Sequence, residues 1–275
     1  FGFMFVLLMA PVALLIPFGP FLKWSQGDLR RSLRSMRPAM VLVVIACLLT
    51  WLMTDHLSTK AFIGVAASVW VGLGIIAFAV MRWRNAPKGR RFNPEMLGMI
   101  LAHFGFAVFL AGVLVTEGTS IEKDVRLDQG ETAVLGAYTF RFDGVERVNG
   151  PNFVADQGTI TITRENAVVA VLHPQKRQYT KTTQIQTESD IDPGFSRDLY
   201  VALGGPLGES GAWSVRVYLK PFIRWIWLGA ILMMLGGFVA ATDRRFRVVV
   251  KSDQLSPARP TSPAATSTGD AKAST

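Results

Sequence analysis

The apolar residues of this chain are gathered into blocks of about twenty, and this clustering constrains the fold more than any other feature of the sequence. An α-helix rises about 1.5 Å per residue, so about 20 apolar residues are needed to cross the roughly 30 Å hydrocarbon layer of a bilayer. Five stretches approach or meet that length: residues 1–22, 39–54, 61–81, 96–116 and 222–242. We therefore predict a multi-pass α-helical membrane protein with about five transmembrane helices, of which the second is the shortest.

The positive charge of the chain is concentrated beside these apolar blocks. The formal net charge is +9 at pH 7. Residues 23–38 and 82–95 each carry +4 and residues 243–251 carry +3, so the basic excess lies wholly in three short stretches. Lys and Arg concentrate in the cytoplasmic loops of membrane proteins, and these stretches follow the first, third and fifth blocks. The pattern predicts a cytoplasmic C-terminus and argues against a nucleic-acid partner.

Residues 117–221 have a different character, because apolar residues alternate with polar ones and Thr, Val, Tyr and Phe are frequent. Such alternation predicts β-strands. The stretch TITITRENAVVAVL is typical of a β-hairpin that turns at Arg164, Glu165 and Asn166. We predict an inserted, mostly antiparallel β-rich extracytoplasmic domain, built as one pair of layers or a small barrel.

These patterns divide the chain into four parts. Residues 1–116 are predicted to hold four transmembrane helices with basic cytoplasmic loops, residues 117–221 the β-rich domain, residues 222–243 the last transmembrane helix, and residues 244–275 a basic and then disordered cytoplasmic tail. The chain opens with Phe1 inside an apolar run that lacks the charged n-region of a signal peptide. We therefore expect the C-terminal piece of a longer polytopic protein.

One titratable side chain, His103, lies inside the apolar run EMLGMILAHFGFAVFLAGVLVTEG. An imidazole in hydrocarbon is costly unless it finds a partner. Three partners remain open from the residues alone: a haem iron, a proton path, or a structural hydrogen bond to a neighbouring helix. On a helical wheel His103 lies roughly 140° from a narrow stripe of small residues that would allow another helix to approach closely. That stripe consists of Gly98, Ala102, Gly105 and Gly112.

The other two histidines are weaker candidates for metal ligands. His56 lies at the outer rim of the second block. With upright helices its depth differs from that of His103 by nearly ~20 Å, too far for both rings to bind one iron. His173 precedes a proline in the β-rich region, and a surface loop is expected there.

Arg224 lies at the start of the last block, in the stretch KPFIRWIWLG. Its ordinary interpretation is an interfacial anchor, with the guanidinium directed outward between aromatic rings at headgroup depth. A functional interpretation is that Arg224 pairs with a ligand carboxylate, such as a haem propionate, near the outer face. The residues leave both interpretations open.

The stretches FGPFLKW, AHFGFAVFLAG, PQKRQYTKTTQIQTE and the long block from FSRDLYVALGG to ATDRRFR follow one another between about residue 15 and residue 247. Together they resemble the C-terminal portion of the CcmF family of cytochrome c-type biogenesis proteins. The resemblance implies a subunit of the bacterial haem lyase in the inner membrane, with residues 117–221 in the periplasm. It also implies a haem chaperone, CcmE, and a CcmH-type thiol subunit as partners.

The resemblance further implies that His103 is an axial ligand of an intrinsic haem b, because its motif matches one of the family's two transmembrane histidine ligands. This haem is expected to pass electrons from quinol, so that the haem being attached to apocytochrome c stays reduced. The family's tryptophan-rich haem-handling segment, its two outer-face histidines and its other transmembrane histidine have no match here. We therefore expect the second ligand from elsewhere and no complete lyase activity from this chain alone.

Two other functions remain as alternatives. A transporter half for haem or another small molecule would need broken helices, and only Pro11, Pro17 and Pro20 in the first block hint at them. A non-catalytic membrane scaffold would use His103 for a structural hydrogen bond.

Overall fold

The computed structural model describes residues 2–21, 29–53, 59–87, 92–182, 184–208 and 211–243. Its helices are α1 (Gly2–Leu15), a 3-10 helix (Ile16–Phe21), α2 (Leu29–Met53), α3 (Thr59–Asn85), α4 (Pro94–Thr119) and α5 (Ile223–Ala241). Between α4 and α5 the described residues form β1 (Ile121–Leu127), β2 (Thr132–Leu135), β3 (Tyr138–Asn149), β4 (Phe153–Arg164), β5 (Ala167–Leu172), β6 (Gln175–Tyr179), β7 (Ile185–Glu188), β8 (Asp190–Pro193), β9 (Arg197–Leu207) and β10 (Ala212–Pro221).

Three helices of the described ranges are long and apolar enough to cross a bilayer: Ala61–Asn85, Pro94–Thr119 and Ile223–Ala241. Two shorter apolar helices, Leu7–Phe21 and Met36–Leu52, correspond to the first two predicted spans. Three of the five predicted spans are therefore supported by length and composition.

The first predicted span, residues 1–22, differs from one continuous α-helix. The α-helix ends at Leu15 and a 3-10 helix continues to Phe21. Pro17 and Pro20 lack the backbone N–H that an α-helical hydrogen bond requires, which accounts for the change. Pro17 is buried against Gly74 of α3, where a Cβ atom on the glycine would lie 2.5 Å from the Cβ of the proline.

Helices α4 and α5 pack antiparallel through glycines, with almost no side chain between the two backbones. A Cβ atom placed on Gly105 would lie 2.7 Å from the nitrogen of Met233, and one on Gly236 would lie 2.5 Å from the nitrogen of Ala102. The predicted stripe of small residues is therefore confirmed as a helix contact, and α5 supplies glycines of the same seven-residue spacing. We call this contact the glycine seam; its glycines are Gly98, Gly105, Gly112, Gly229 and Gly236.

The strands form a β-sandwich, which confirms the predicted pair of layers. One sheet has the order β1-β10-β9-β8, and the other has the order β2-β3-β4-β6-β7, with β5 also pairing with β4. The alternate residues of β3, β4, β9 and β10 that face inward form one buried core, which includes Phe140, Phe142, Ile160, Ile162, Leu199, Leu203, Val215 and Val217. The predicted hairpin is present between β4 and β5, with Glu165 and Asn166 at φ of 50° and 65° in its turn.

The first and last strands of the sandwich continue the α4–α5 helix pair. Strand β1 begins directly after α4, β10 ends just before α5, and the two pair antiparallel from Ile121 opposite Leu219 to Leu127 opposite Trp213. The Thr116 hydroxyl of α4 donates a 2.7 Å hydrogen bond to the carbonyl of Pro221. The β domain is thus held by two adjacent helix ends.

At the opposite end of the helix pair, the start of α4 meets the end of α5. Asn93 is the N-cap of α4, and its side-chain oxygen accepts a 3.2 Å hydrogen bond from the Met96 N–H. The buried carboxylate of Asp243 accepts hydrogen bonds from the Asn93 side chain and from the Glu95 N–H. A carboxylate at a helix N-terminus is favourable because the free N–H groups there carry partial positive charge.

We expect Gly236→Ala to destabilise the protein by about 1–3 kcal/mol, because the added methyl group would force α4 and α5 apart. The matched control is Gly237→Ala at the next residue, where nothing lies within 4 Å of the added Cβ atom. Alanine has the higher helix propensity by about 1 kcal/mol, so this control should be neutral or stabilising. Thermal unfolding of the intact protein in detergent, followed by circular dichroism, measures both changes. Equal effects of the two substitutions would contradict the glycine seam.

Candidate functional site

His103 lies on the face of α4 that packs against α3, away from the glycine seam. Ala107 and Leu110 lie within about 40° of His103 on the helical wheel. Both are buried in one apolar cluster with Val71 of α3 and Ala13 of α1. The imidazole itself is partly buried. The structure therefore places His103 beside an apolar contact of three helices.

The hydrogen bond of the His103 ring defines its tautomer. Nδ1 lies 2.8 Å from the backbone carbonyl oxygen of Met99, one turn earlier in α4. A carbonyl oxygen only accepts, so Nδ1 carries a proton and donates it, and in the neutral ring Nε2 is the nitrogen that keeps a lone pair. Among the described residues Nε2 has no hydrogen-bond partner. A neutral imidazole with one fixed N–H and one available lone pair has the form in which histidine binds a metal.

Arg224 lies in the first turn of α5 and is bound to the β domain. Its Nε donates to the two carboxylate oxygens of Asp198, at 3.1 and 3.4 Å. Asp198 belongs to β9, is 4% exposed, and also accepts a 3.0 Å hydrogen bond from the Gly194 N–H. The next residue, Trp225, donates from its indole to the carbonyl of Phe195 at 3.1 Å. We call this group of five residues the outer junction.

The structure does not bring His103 and Arg224 together. His103 lies five residues after Gly98 and Arg224 five residues before Gly229, so each is rotated roughly 140° from the glycine seam. Because α4 and α5 are antiparallel, these rotations direct the two side chains to opposite sides of the helix pair. Their levels also differ by roughly 15 Å along the helix axes, given that Gly105 stands opposite Met233. In this arrangement Arg224 cannot reach a haem that is bound by His103. That Arg224 pairs with a haem propionate stays a prediction.

The remaining histidines are separated from His103. His173 lies in the exposed loop between β5 and β6, where its backbone N–H donates a 2.6 Å hydrogen bond to Asp190. Its Nδ1 lies 3.4 Å from the Thr159 hydroxyl. The prediction of a surface loop histidine is confirmed. His56 lies outside the described residues.

Asp198 was not found by sequence reasoning. It precedes its partner Arg224 by 26 residues, and pairs of that separation follow no local pattern. The available signal was a lone acidic residue directly before the apolar strand LYVAL, because a carboxylate beside a buried strand needs a compensating donor.

The pKa of Tyr200 depends on two charged residues of the outer junction, Asp198 and Arg224. Burial raises the pKa of its phenol, the nearby Asp198 carboxylate raises it further, and the Arg224 guanidinium lowers it. Its ring meets that of Tyr218 edge to face at 6.3 Å. The Lys220 ammonium lies 5.4 Å from the Tyr200 ring centre and 5.1 Å from that of Tyr218.

Comparison with known proteins gives a consistent set of relatives. The model of the "CcmF C-terminal beta-sandwich" family matches residues 118–221. The cytochrome c-type biogenesis protein CcmF of Pseudomonas aeruginosa is 39% identical over 92% of this chain and 39% of its own length. CcmF of Escherichia coli K12 is 37% identical over 94% of this chain and 39% of its own length. The chain therefore spans about two fifths of the length of the curated relatives it matches.

One solved structure, "Cytochrome c Heme Lyase CcmF", superimposes with a TM-score of 0.71 and 20% sequence identity. The match covers 86% of this chain and 40% of the other. At that identity the superposition shows a shared fold.

We expect Arg224→Gln to raise the pKa of Tyr200 further, because the substitution removes the positive charge that stabilises the phenolate. Arg224→Lys, which keeps the charge, should shift this pKa less. Arg141→Gln is the matched control, since Arg141 pairs with Asp143 on the other sheet. Carbon-13 NMR of ring-labelled tyrosine in the intact protein follows the titration. An unchanged or lowered Tyr200 pKa in Arg224→Gln would contradict the arrangement of the outer junction.

Proposed function

The chain belongs to the CcmF family of cytochrome c-type biogenesis proteins, matching the C-terminal portion of its members, and from this premise we propose that it serves in a membrane haem lyase subunit for c-type cytochrome maturation. Within that subunit, His103 is an axial ligand of an intrinsic haem b. The observation that carries this assignment is the geometry of the His103 ring, whose Nδ1–H is held by the Met99 carbonyl while Nε2 has no hydrogen-bond partner among the described residues.

The donor chemistry of His103 fits a haem iron. An axial histidine binds iron through one neutral ring nitrogen, and an acceptor oriented on the other N–H fixes the ring and raises its basicity. The carbonyl of Met99 supplies that acceptor without a second polar side chain. When bound, such a haem supplies one-electron transfer, which keeps reduced the haem that is attached to apocytochrome c.

The surroundings of His103 favour a water-poor site. Ala107 and Leu110, on the same side of α4 as its imidazole, are buried in one apolar cluster with Val71 of α3. Low solvent access and low dielectric are among the means by which a protein sets a haem potential. The role proposed for this part of α4 is therefore to hold and insulate the haem rather than to move protons.

We assign the second axial ligand to polypeptide outside this sequence or to another subunit. His173 belongs to the β domain. His56 is expected from the sequence at the outer rim of the second apolar stretch. Neither histidine is therefore expected at the depth of His103. For His56 this follows from the rise of about 1.5 Å per helical residue.

The proposed topology places five spans in the bacterial inner membrane, the β domain in the periplasm and the C-terminus in the cytoplasm. It is supported by the position of the basic stretches after the first, third and fifth apolar blocks. The antiparallel α4–α5 pair, with the β domain attached at one end, agrees with such an arrangement. Haem, apocytochrome c, quinol, the haem chaperone and a thiol subunit are the proposed partners.

A transporter half is the alternative that one observation favours, namely the break between α1 and the 3-10 helix at Ile16. In transporters such breaks expose backbone groups beside polar side chains that hold the substrate. The 3-10 segment IPFGPF contains no polar side chain. We therefore prefer the haem-ligand function.

We expect His103→Gly in the intact protein to lose the b-type Soret band and the haemochrome, because one axial ligand is removed. Added imidazole should restore the spectrum by entering the space left by the side chain. His173→Gly is the matched control and should keep its haem, since His173 lies on the surface of the β domain. A His103→Gly protein that folds and retains an unaltered spectrum without imidazole would overturn the assignment.

A further inference from the structure

The length of α5 determines where the outer junction lies relative to the hydrocarbon layer of the membrane. Helix α5 has 19 residues, Ile223–Ala241. It is therefore about 28 Å long, against a hydrocarbon layer of roughly 30 Å. A helix of this length can span the layer only if its first turn lies at the outer boundary and its last turn at the inner one. Under the membrane embedding of the proposed function, Arg224 and Trp225 must then lie at that outer boundary.

The turn before β9 is bound to this first turn of α5. The Trp225 indole donates to the Phe195 carbonyl at 3.1 Å, and the two rings stand 5.5 Å apart. The Phe222 N–H donates to the carbonyl of Ser196 at 3.0 Å. The residues of this turn, Gly194, Phe195 and Ser196, are therefore held at the depth of the helix start.

Phe195 is nevertheless exposed. Its side chain is 74% exposed, although the turn is anchored on both sides. Trp227 in the same helix turn is 72% exposed, and the side chain of Arg224 is 52% exposed. Aromatic rings with a neighbouring basic side chain are typical of the boundary between lipid headgroups and acyl chains.

We propose that the turn Gly194–Phe195–Ser196 is a lipid-contact site of the β domain, with the Phe195 ring inserted at the headgroup boundary of the outer leaflet. The occupant is the bilayer, because the turn is continuous with the membrane-spanning helix that sets its depth. Arg224 lies at the level of the lipid phosphates, while its Nε stays bound to Asp198.

The contact gives the β domain a point of support besides its two helix attachments. The helix ends meet the domain where Thr116 binds Pro221 and β1 pairs with β10, and the start of α5 also binds this turn through Phe222 and Trp225. Strand β8 and the turn after it lie at the far edge of the same sheet, two strands from β10. Support at both edges holds that sheet at a fixed tilt over the membrane surface.

The test is site-directed fluorescence in the intact protein. Cys47 is the cysteine of this chain, so Phe195→Cys is made in a background in which Cys47 and any cysteine elsewhere are replaced by alanine, and the new thiol is labelled with NBD. The labelled protein is reconstituted into phosphatidylcholine vesicles with or without lipids spin-labelled near the headgroup. Leu207→Cys is the matched control, because Leu207 is an exposed apolar residue at the end of β9 opposite to this turn.

The NBD emission at position 195 should shift to the blue and lose about half its intensity in the presence of the spin-labelled lipid. The label at position 207 should keep its emission and be quenched by aqueous iodide. If position 195 is quenched by iodide and not by the lipid, or is protected from both by neighbouring protein, the proposal is wrong. The readout requires no haem, so its failure and the failure of His103 as a haem ligand are distinguishable.

Discussion

The close backbone contact between α4 and α5 is the constraint on which the rest of the arrangement depends. Two helices that meet through glycine have little freedom to slide, because each glycine fits a backbone position of the other helix and any side chain there would collide. The contact therefore sets the register of α5 along α4, and not merely their proximity. At one end this register brings Asp243 to the N-cap of α4, and at the other it brings Thr116 to Pro221.

That register also determines how the β domain is carried. The chain leaves α4 directly into β1 and returns from β10 directly into α5, and these two strands pair with each other. The helix pair is thus extended by a strand pair without a flexible linker between them. Phe222, at a left-handed φ of 58°, makes the bend from β10 into α5 and is held there by its hydrogen bond to Ser196. A motion of the domain relative to the helices would have to break the hydrogen bonds of Arg224 to Asp198 and of Trp225 to Phe195.

The sequence predicted those features that local rules control. The glycine stripe follows from helical geometry, and the turn at Glu165 and Asn166 follows from the alternation on either side of it. The pairing of β1 with β10 could not be predicted, because about 90 residues separate the partners and no local pattern records which strands meet. The same holds for the pair formed by Asp198 and Arg224. The break of the first span at Ile16 was indicated by prolines, but their effect on the helix depends on packing against α3.

Because the glycine seam fixes the register of the two helices, the position of His103 can be given relative to the two ends of α5. Gly105 stands opposite Met233, so His103, two residues nearer the start of α4, stands level with about residue 235. Along α5 this level is roughly 9 Å from Ala241 at one end and roughly 18 Å from Ile223 at the other. In the membrane embedding proposed above, the imidazole would lie too deep for its side chain to reach either headgroup region. A polar ring at this depth has to be satisfied within the protein, and the Met99 carbonyl satisfies only one of its two nitrogens.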